Sequence, residues 1–562
     1  MRARTVRGLA VAAAVAAVVL FYIHGMRPWL AAHQLSFRLT PQALGALKTA
    51  LGLVALALSI GEWLRRRRGR ALPRRVVSVA FAVLAGCGGF AFLSSDDLAP
   101  DRYEHGWELF HYYLGSKYHD ELGYKRIYRC AAVAQAELSS TMREEVKARK
   151  LRDLDTGLLV PAATALADPA LCKDHFTPER WDAFVRDIHF FRSTSSRSYW
   201  NSFQTDHGYN PSPLWTTIAS LVSSRVGASL PGMHLLASID LVLYVALFFA
   251  VWWAFGARVL CVALIFFGCQ FPANGFFTGG AFLRQDWLFA VVVSACLARR
   301  RKLVAAGFLL VLAAMLRVFP AILAAGWGVW AVRDFVRASR AGRPWRERVS
   351  PATLRLAAGG LAGVIVLGGA SVAVAGRSSY GEFTRHIAVH SRTPLTNNMG
   401  LGTVFSYALD GRAQRTWNKA LPDTWAVWAA KQRQHLAERG VARGMVITGL
   451  AAAFVAAVWT TRRAHVALAL GPLAVTSLTT PTCYYYSFFL LAALLALHDR
   501  RQEWAVLAAG AASAWLAVWP PALNVWWDDR YLLQSLVFLA LALFPVVRRA
   551  EAGARDRGRG RG

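Results

Sequence analysis

Long apolar runs recur along this chain, and most are closed by basic residues. The runs at 6–26, 43–63 and 76–94 each suffice to cross a bilayer core, for which a helix needs roughly 20 mostly apolar residues. Continuing the same reading predicts helices at 234–255, 258–274, 282–298, 303–316, 319–333, 354–376, 443–461, 465–480, 484–497, 505–522 and 531–547, about 14 spans in all. Some of these are short enough to be half-helices or re-entrant pairs. The clearest case is Leu316-Arg317-Val318-Phe319-Pro320, where a proline breaks the helix and frees backbone groups. Two long polar, aromatic-rich stretches interrupt the pattern, at 95–231 and 377–441.

The fold class is therefore an all-α multi-pass membrane protein, a helical bundle with two external loops. Its expected parts are an N-terminal transmembrane hairpin with a basic loop (1–75), a helix at 76–94 and an external domain at 95–231. Helices over 232–376, a second external loop at 377–441, helices over 442–547 and a disordered basic tail at 548–562 complete the chain. The first run has the basic start of a signal peptide. No small-residue cleavage site follows near Met26, so it is read as a membrane helix.

Charge gives the orientation. Basic tracts lie at 65–75, 299–302, 333–348, 462–463, 500–501 and 548–561, all at ends reached after an even number of spans. Lys and Arg near helix ends favour the cytoplasmic side. One topology places every tract there, with both termini cytoplasmic and both long loops outside a cell (inner) membrane. In a soluble protein a net charge of +31 would suggest nucleic acid. Here the excess sits in short connectors, and the chain is 55% hydrophobic with mean hydropathy +0.33. Topology and anionic-lipid contact account for it, and no nucleic-acid partner is expected.

Candidate chemistry gathers on the external side. Asp101, Glu104, Glu108 and His111 follow at helical spacing, with Tyr103, Trp107, Phe110 and Leu114 on the other face. An interfacial helix with aromatic anchors is the plain reading; acids turned toward a cavity is the functional one. Asp206 and His207 form a carboxylate–imidazole pair or a helix-capping turn before Tyr209. Arg284 and Asp286 at the mouth of one run, and Arg317 inside another, are costly unless paired or facing a cavity. His386, His390, Arg392, Asn397 and Asn398 crowd the second loop, and Thr480-Pro481-Thr482-Cys483-Tyr484-Tyr485-Tyr486 opens a late span. Arginine suits phosphate and aromatic faces suit sugar rings. Taken singly, each group also serves as a structural ion pair or an interfacial anchor.

Other chemistry is absent from the sequence. No Walker A loop, dinucleotide fingerprint, HExxH or nucleophile elbow occurs, and the histidines lack metal-ligand spacing. No cofactor and no metal are expected; Asp96-Asp97 as a divalent-cation site has a simpler reading as a helix-end cap. Of seven cysteines, Cys87, Cys261, Cys269, Cys296 and Cys483 fall in or at the ends of apolar runs. Cys130 and Cys172 lie inside the first external loop, where an oxidising compartment favours a bridge between them.

Several of these stretches, in this order, resemble the GT-C superfamily of integral-membrane glycosyltransferases. The match is to the polyprenyl-phosphate-mannose-dependent branch filed as glycosyltransferase family 87. The carrying residues are Asp101 through Tyr103 to Gly115-Ser116-Lys117-Tyr118, then Tyr209-Asn210-Pro211-Ser212-Pro213-Leu214. Arg317 before Pro320, Asn397-Asn398, and Pro481 through Tyr486 follow, so that the resemblance covers about 76–500. It implies inverting, mannosyltransferase-like sugar transfer from a polyprenyl-phosphate donor to a hydroxyl of a glycan, lipid or protein acceptor. Asp101 matches the family's general base, with Glu104 and Glu108 as alternatives, and Arg284, Arg317 and Arg392 take the phosphate side. His111, Asp206, His207, Tyr209, Asp286, His390, Asn397, Asn398 and Tyr485 complete the expected substrate contacts. Two other classes stay open: a lipid-linked glycan or solute transporter, and a non-catalytic membrane scaffold.

Overall fold

A computed structural model describes residues 2–34, 39–94, 103–391, 393–518 and 525–559. The chain is 76% helical, which leaves room for little else; the described strands are one antiparallel hairpin, Lys150–Arg152 with Leu159–Pro161. Many helices start on a Ser/Thr–Pro step. Thr40, Thr177, Ser212 and Ser350 each accept a backbone N–H from the first turn, while the following proline occupies a position that needs no donor.

Among the described residues, seven helices are long and apolar enough to cross a membrane: Gly8–Ala32, Pro41–Arg67, Arg74–Leu93, Leu230–Phe255, Pro351–Ala375, Gly440–Trp459 and Trp527–Glu551. Their outer faces are apolar. On Pro351–Ala375, Leu361, Ile365, Val366 and Val374 are each more than half exposed, the pattern of a helix solvated by lipid. Inside, helices approach closely on glycine. A Cβ on Gly307 would lie 2.1 Å from the Leu356 carbonyl oxygen, and one on Gly359 1.9 Å from that of Val304, so Leu303–Leu316 and Pro351–Ala375 touch backbone to backbone.

The other expected spans are shorter or broken. Run 258–274 forms Ala257–Cys269, and 282–298 forms Asp286–Arg299, whose start is delayed by the strained turn described below. Run 319–333 starts at Pro320 and divides at Ala324 into Pro320–Leu323 and Ala325–Arg340. Run 465–480 splits at Pro472, and 484–497 begins as a 3₁₀ segment, Cys483–Phe489. Run 505–522 is the helix Arg500–Val518. Ala257–Cys269, Asp286–Arg299 and the pieces after Ala464 are packed among neighbouring helices, whereas Ala325–Arg340 leaves Val332 and Phe335 exposed. The tail also differs from expectation, because the last helix continues from Trp527 to Arg559.

One end of the bundle carries a buried ion network. Glu62 and Glu503, both under 5% exposed, hold Arg258 at 3.3 and 2.5 Å, and Arg500 at 3.1 and 3.4 Å. The other end carries the 103–223 segment, a helical unit with its own aromatic core of Phe110, Tyr113, Tyr118, Tyr128, Phe184 and Trp200. Cys130 and Cys172 are joined there, with Cα atoms 5.4 Å apart and both side chains fully buried. Closing this loop stabilises the unit by about 3–4 kcal/mol through the unfolded chain. Reductant, or a Cys172→Ala variant, is expected to lower its unfolding temperature and leave the Glu62–Glu503 end protected in hydrogen exchange. Equal loss of protection at both ends would contradict a local role.

Candidate active site

The acidic segment folds differently from a surface helix. A short helix, Gly106–Leu109, passes into a π-helical turn, Phe110–Leu114, and then Gly115–Lys117. Tyr103 and Glu104 precede the helix, so the expected shared face of Glu104 and Glu108 does not form. The segment is internal: His111, Tyr113 and Leu114 are all at most 2% exposed. Such π-turns often mark functional sites. Here the turn sends His111 and Tyr112 in different directions.

Tyr112 points to arginine. Its hydroxyl accepts from Arg284 Nη1 at 2.8 Å, and the Arg284 guanidinium also pairs with Glu108 and stacks 4.1 Å from the Tyr484 ring centre. Arg317 lies 5.9 Å from the centre of the same Tyr112 ring and 5.7 Å from that of Trp215. Both arginines are under 10% exposed. They thus share one aromatic-walled cluster, completed by Tyr485 against Trp287 (5.6 Å) and Phe319 (4.9 Å). The partner of Arg284 is Glu108; Asp286, two residues on, acts on Arg317 but forms no ion pair among the described residues.

A strained turn sets Arg284 in place. Leu283 has φ +48, a left-handed conformation that a branched residue holds only under constraint. The constraint is a set of hydrogen bonds. Leu283's carbonyl accepts the Trp215 indole N–H at 2.9 Å, and the backbone N–H groups of Arg284 and Gln285 donate to Asp240 at 2.9 and 3.2 Å. Asp240 is a fully buried carboxylate inside the Leu230–Phe255 helix. Gly280 (φ +66) ties the acidic segment to this turn: its carbonyl accepts His105 N–H at 2.9 Å, and a Cβ there would meet Tyr103's carbonyl at 1.8 Å.

Around this turn, hydrogen-bonding demand is unmet. Arg284 Nε, Gln285 Oε1, Asp286 Oδ2, Trp287 Nε1, and Arg317 Nε and Nη2 are buried without a hydrogen-bond partner among the described residues. Buried polar groups are nearly always satisfied, so a concentration of orphans at one place points to a polar ligand or water.

The remaining candidates form a second, adjoining group. His111 Nδ1 meets the Trp107 carbonyl at 2.7 Å, and its Nε2 meets the Tyr128 hydroxyl at 2.8 Å. Gly208 N–H donates to that hydroxyl at 2.8 Å, so the chain runs Gly208 → Tyr128 → His111. Asp206 does not bond His207 as a dyad; it accepts the Trp107 indole N–H at 2.9 Å and lies 3.9 Å from His111 Nε2. His207 instead meets His390 edge to face at 5.6 Å. Burial holds the His207 imidazole below its ordinary value, so it is neutral at pH 7. Tyr209 is buried, its hydroxyl 2.7 Å from Thr216 Oγ1 and its ring between Tyr112 and Tyr124. Asn397 and Asn398 act through backbone: Asn397's carbonyl accepts Cys483 N–H at 2.9 Å, and Asn398 forms an isolated β-bridge with Thr482, fixing the segment that leads to Tyr484 and Tyr485. Asp101 and Arg392 lie outside the described residues.

His386 clamps the second loop onto the first. Its Nε2 lies 2.7 Å from Asn210 Oδ1 and its ring stacks on Tyr124 at 5.3 Å. Burial, then the neighbouring His390 and Lys125, brings its pKa from 6.5 down to about 4. The unfolded chain therefore binds this proton more readily than the folded one, so stability from this group is complete above 6.5 and is lost as pH falls toward 4. Unfolding temperature is expected to drop between pH 7 and 4.5, with a smaller drop in His386→Gln; an equal drop in both would contradict the assignment.

Sequence reasoning missed Tyr112, Trp215 and Asp240, and named Tyr484 only within its stretch. Asp240 had a signal, a single carboxylate within an apolar run. Among the described residues, no three His, Cys, Asp or Glu side chains are placed to hold a metal ion. Compared with protein-family models, with curated proteins and with solved structures, the chain gives no match.

Proposed function

We propose that this chain is a membrane glycosyltransferase that takes its sugar from a polyprenyl-phosphate donor. The observation that carries the reading is the buried pair Arg284 and Arg317, with Arg317 Nε and Nη2 unpartnered among the described residues, beside Tyr112, Tyr484 and Tyr485. Two guanidiniums suit a phosphate, and tyrosine rings suit a sugar face.

In the reaction, an acceptor hydroxyl oxygen attacks the anomeric carbon while the bond from that carbon to the phosphate oxygen breaks. The configuration inverts, the hydroxyl proton passes to a carboxylate, and negative charge grows on the departing lipid phosphate. Arg317 stabilises that charge. Arg284, held by Glu108 and Tyr112, fixes the other side. Glu108 is committed to Arg284 and Glu104 lies against the His234 imidazole, so Asp101 takes the role of general base, with Glu104 and its imidazole partner as the alternative. The acceptor is a hydroxyl of a glycan, lipid or protein. Membrane-crossing runs to about 14 passes when shorter helices join the seven long ones, with the 103–223 unit on the external face and both termini cytoplasmic.

Proteoliposomes loaded with a radiolabelled polyprenyl-phosphate sugar test the reading. Label moving onto glycan, lipid or peptide acceptors, with release of polyprenyl phosphate, is the expected result. Donor that crosses the bilayer chemically unchanged would establish a transporter instead. For orientation, single cysteines in a Cys87→Ser background are expected to label from outside at Ser193 and only after permeabilisation at Arg68. The reverse pattern would invert the topology.

A further inference from the structure

Two cavities lie at the end of the bundle away from Arg284 and Arg317, about 20 Å along the Asp286–Arg299 helix. They share Arg462 and Arg463 in their walls. The larger, about 500 Å³, adds Arg299, Arg301 and Arg355; the smaller, about 240 Å³, adds His498 and Arg549. Among the described residues, the one carboxylate lining either is Asp334, and Arg333 holds it at 2.5 Å.

Counter-charge is sparse here: Asp499, beside His498, pairs with Arg548 at 3.5 Å and acts on Arg549, and neutral groups supply the rest. Arg463 Nη1 meets the two ring nitrogens of His498 at 3.0 and 3.3 Å, and His498 Nε2 meets His465 Nε2 at 3.0 Å. Burial, then Arg463, Arg549 and Arg299, holds the His498 imidazole down to about 4, so it stays uncharged at neutral pH. Arg299 Nε is buried with no hydrogen-bond partner among the described residues.

Topology alone does not require this convergence. A basic residue anywhere in a connector biases orientation. These arginines instead come from four separate stretches: the end of Asp286–Arg299, the first turns of Pro351–Ala375, the turn at 460–463 and the late part of Trp527–Arg559. Like charges brought around one hollow repel unless an anion sits among them. The wall of the larger cavity also carries Leu303, Trp330 and Pro351, so an amphiphilic anion finds apolar surface beside the charge.

We propose that these joined cavities bind a phosphate-bearing anion, a phospholipid headgroup or free phosphate, with Arg299, Arg462, Arg463 and Arg549 as its ligands. The site is independent of the sugar-transfer reading.

The test uses the full chain in nanodiscs of phosphatidylcholine, with phosphatidylglycerol added in one arm and inorganic phosphate in the other. Unfolding temperature is read against anion concentration. Arg462 and Arg463 are both exposed, so an Arg462→Gln/Arg463→Gln variant keeps the packed interior. Half-saturation in that variant is expected at about tenfold higher anion, the loss of roughly one charge-assisted hydrogen bond. An Arg68→Gln/Arg70→Gln variant removes equal charge from an exposed tract elsewhere and is expected to respond as the wild type does. A shift with phosphatidylglycerol alone marks the lipid headgroup as the source; a shift with phosphate marks the free anion. The proposal is overturned if neither anion shifts the wild type, or if the two double variants respond alike.

Discussion

Replacing Arg317 with alanine is expected to reduce sugar transfer by about 10²–10³-fold while shifting the unfolding temperature little. Removing one preorganised donor from a developing oxyanion typically has that effect on rate. The stability cost is small because Arg317 makes one hydrogen bond within the chain, from Nη1 to the Leu316 carbonyl at 3.1 Å, and no ion pair among the described residues. Arg317→Lys is expected to recover part of the rate, since lysine restores charge without the planar fork. Retained activity in Arg317→Ala would remove this residue from the mechanism.

Arg284 is expected to behave in the opposite way. Arg284→Ala leaves Glu108, largely buried at 12% exposure, without its cation, and breaking a buried pair costs about 3–5 kcal/mol. The Tyr112 hydroxyl loses its donor as well. Loss of folded protein, not only of activity, is the expected outcome. A Glu108→Leu/Arg284→Leu double variant removes both charges and is expected to be more stable than Arg284→Ala. A double variant less stable than Arg284→Ala would show that the pair is not what holds this region.

Much of the helical pattern was legible because bilayer solvent imposes it: a helix such as Pro351–Ala375 must be apolar on its outer face, and sequence reports that directly. The broken spans were less legible. Whether an apolar run of 14 residues such as Leu303–Leu316 crosses lipid or sits against other helices depends on neighbours, not on the run. Arg284, Arg317 and Asp286 stood out as charges against apolar surroundings. Their partners did not. Glu108 and Tyr112 reach Arg284 from 176 and 172 residues away, a pairing that spacing cannot express. Nor does periodicity show the π-turn at Phe110–Leu114, which separates His111 from Tyr112, or the left-handed Leu283. The Asp206–His207 pair was legible only in part: the two groups act on each other, and the fold also gives Asp206 the Trp107 indole and His207 the ring of His390.

The central claim is that Arg284 and Arg317 receive the donor's phosphate. A cryo-EM map of the full chain with a polyprenyl phosphate bound tests it most directly. The expected result is phosphate density within hydrogen-bond distance of Arg317 Nε or Nη2, with the adjoining tyrosines lining the sugar side. Headgroup density elsewhere, with the Arg317 guanidinium still unpartnered or turned to lipid, would contradict it.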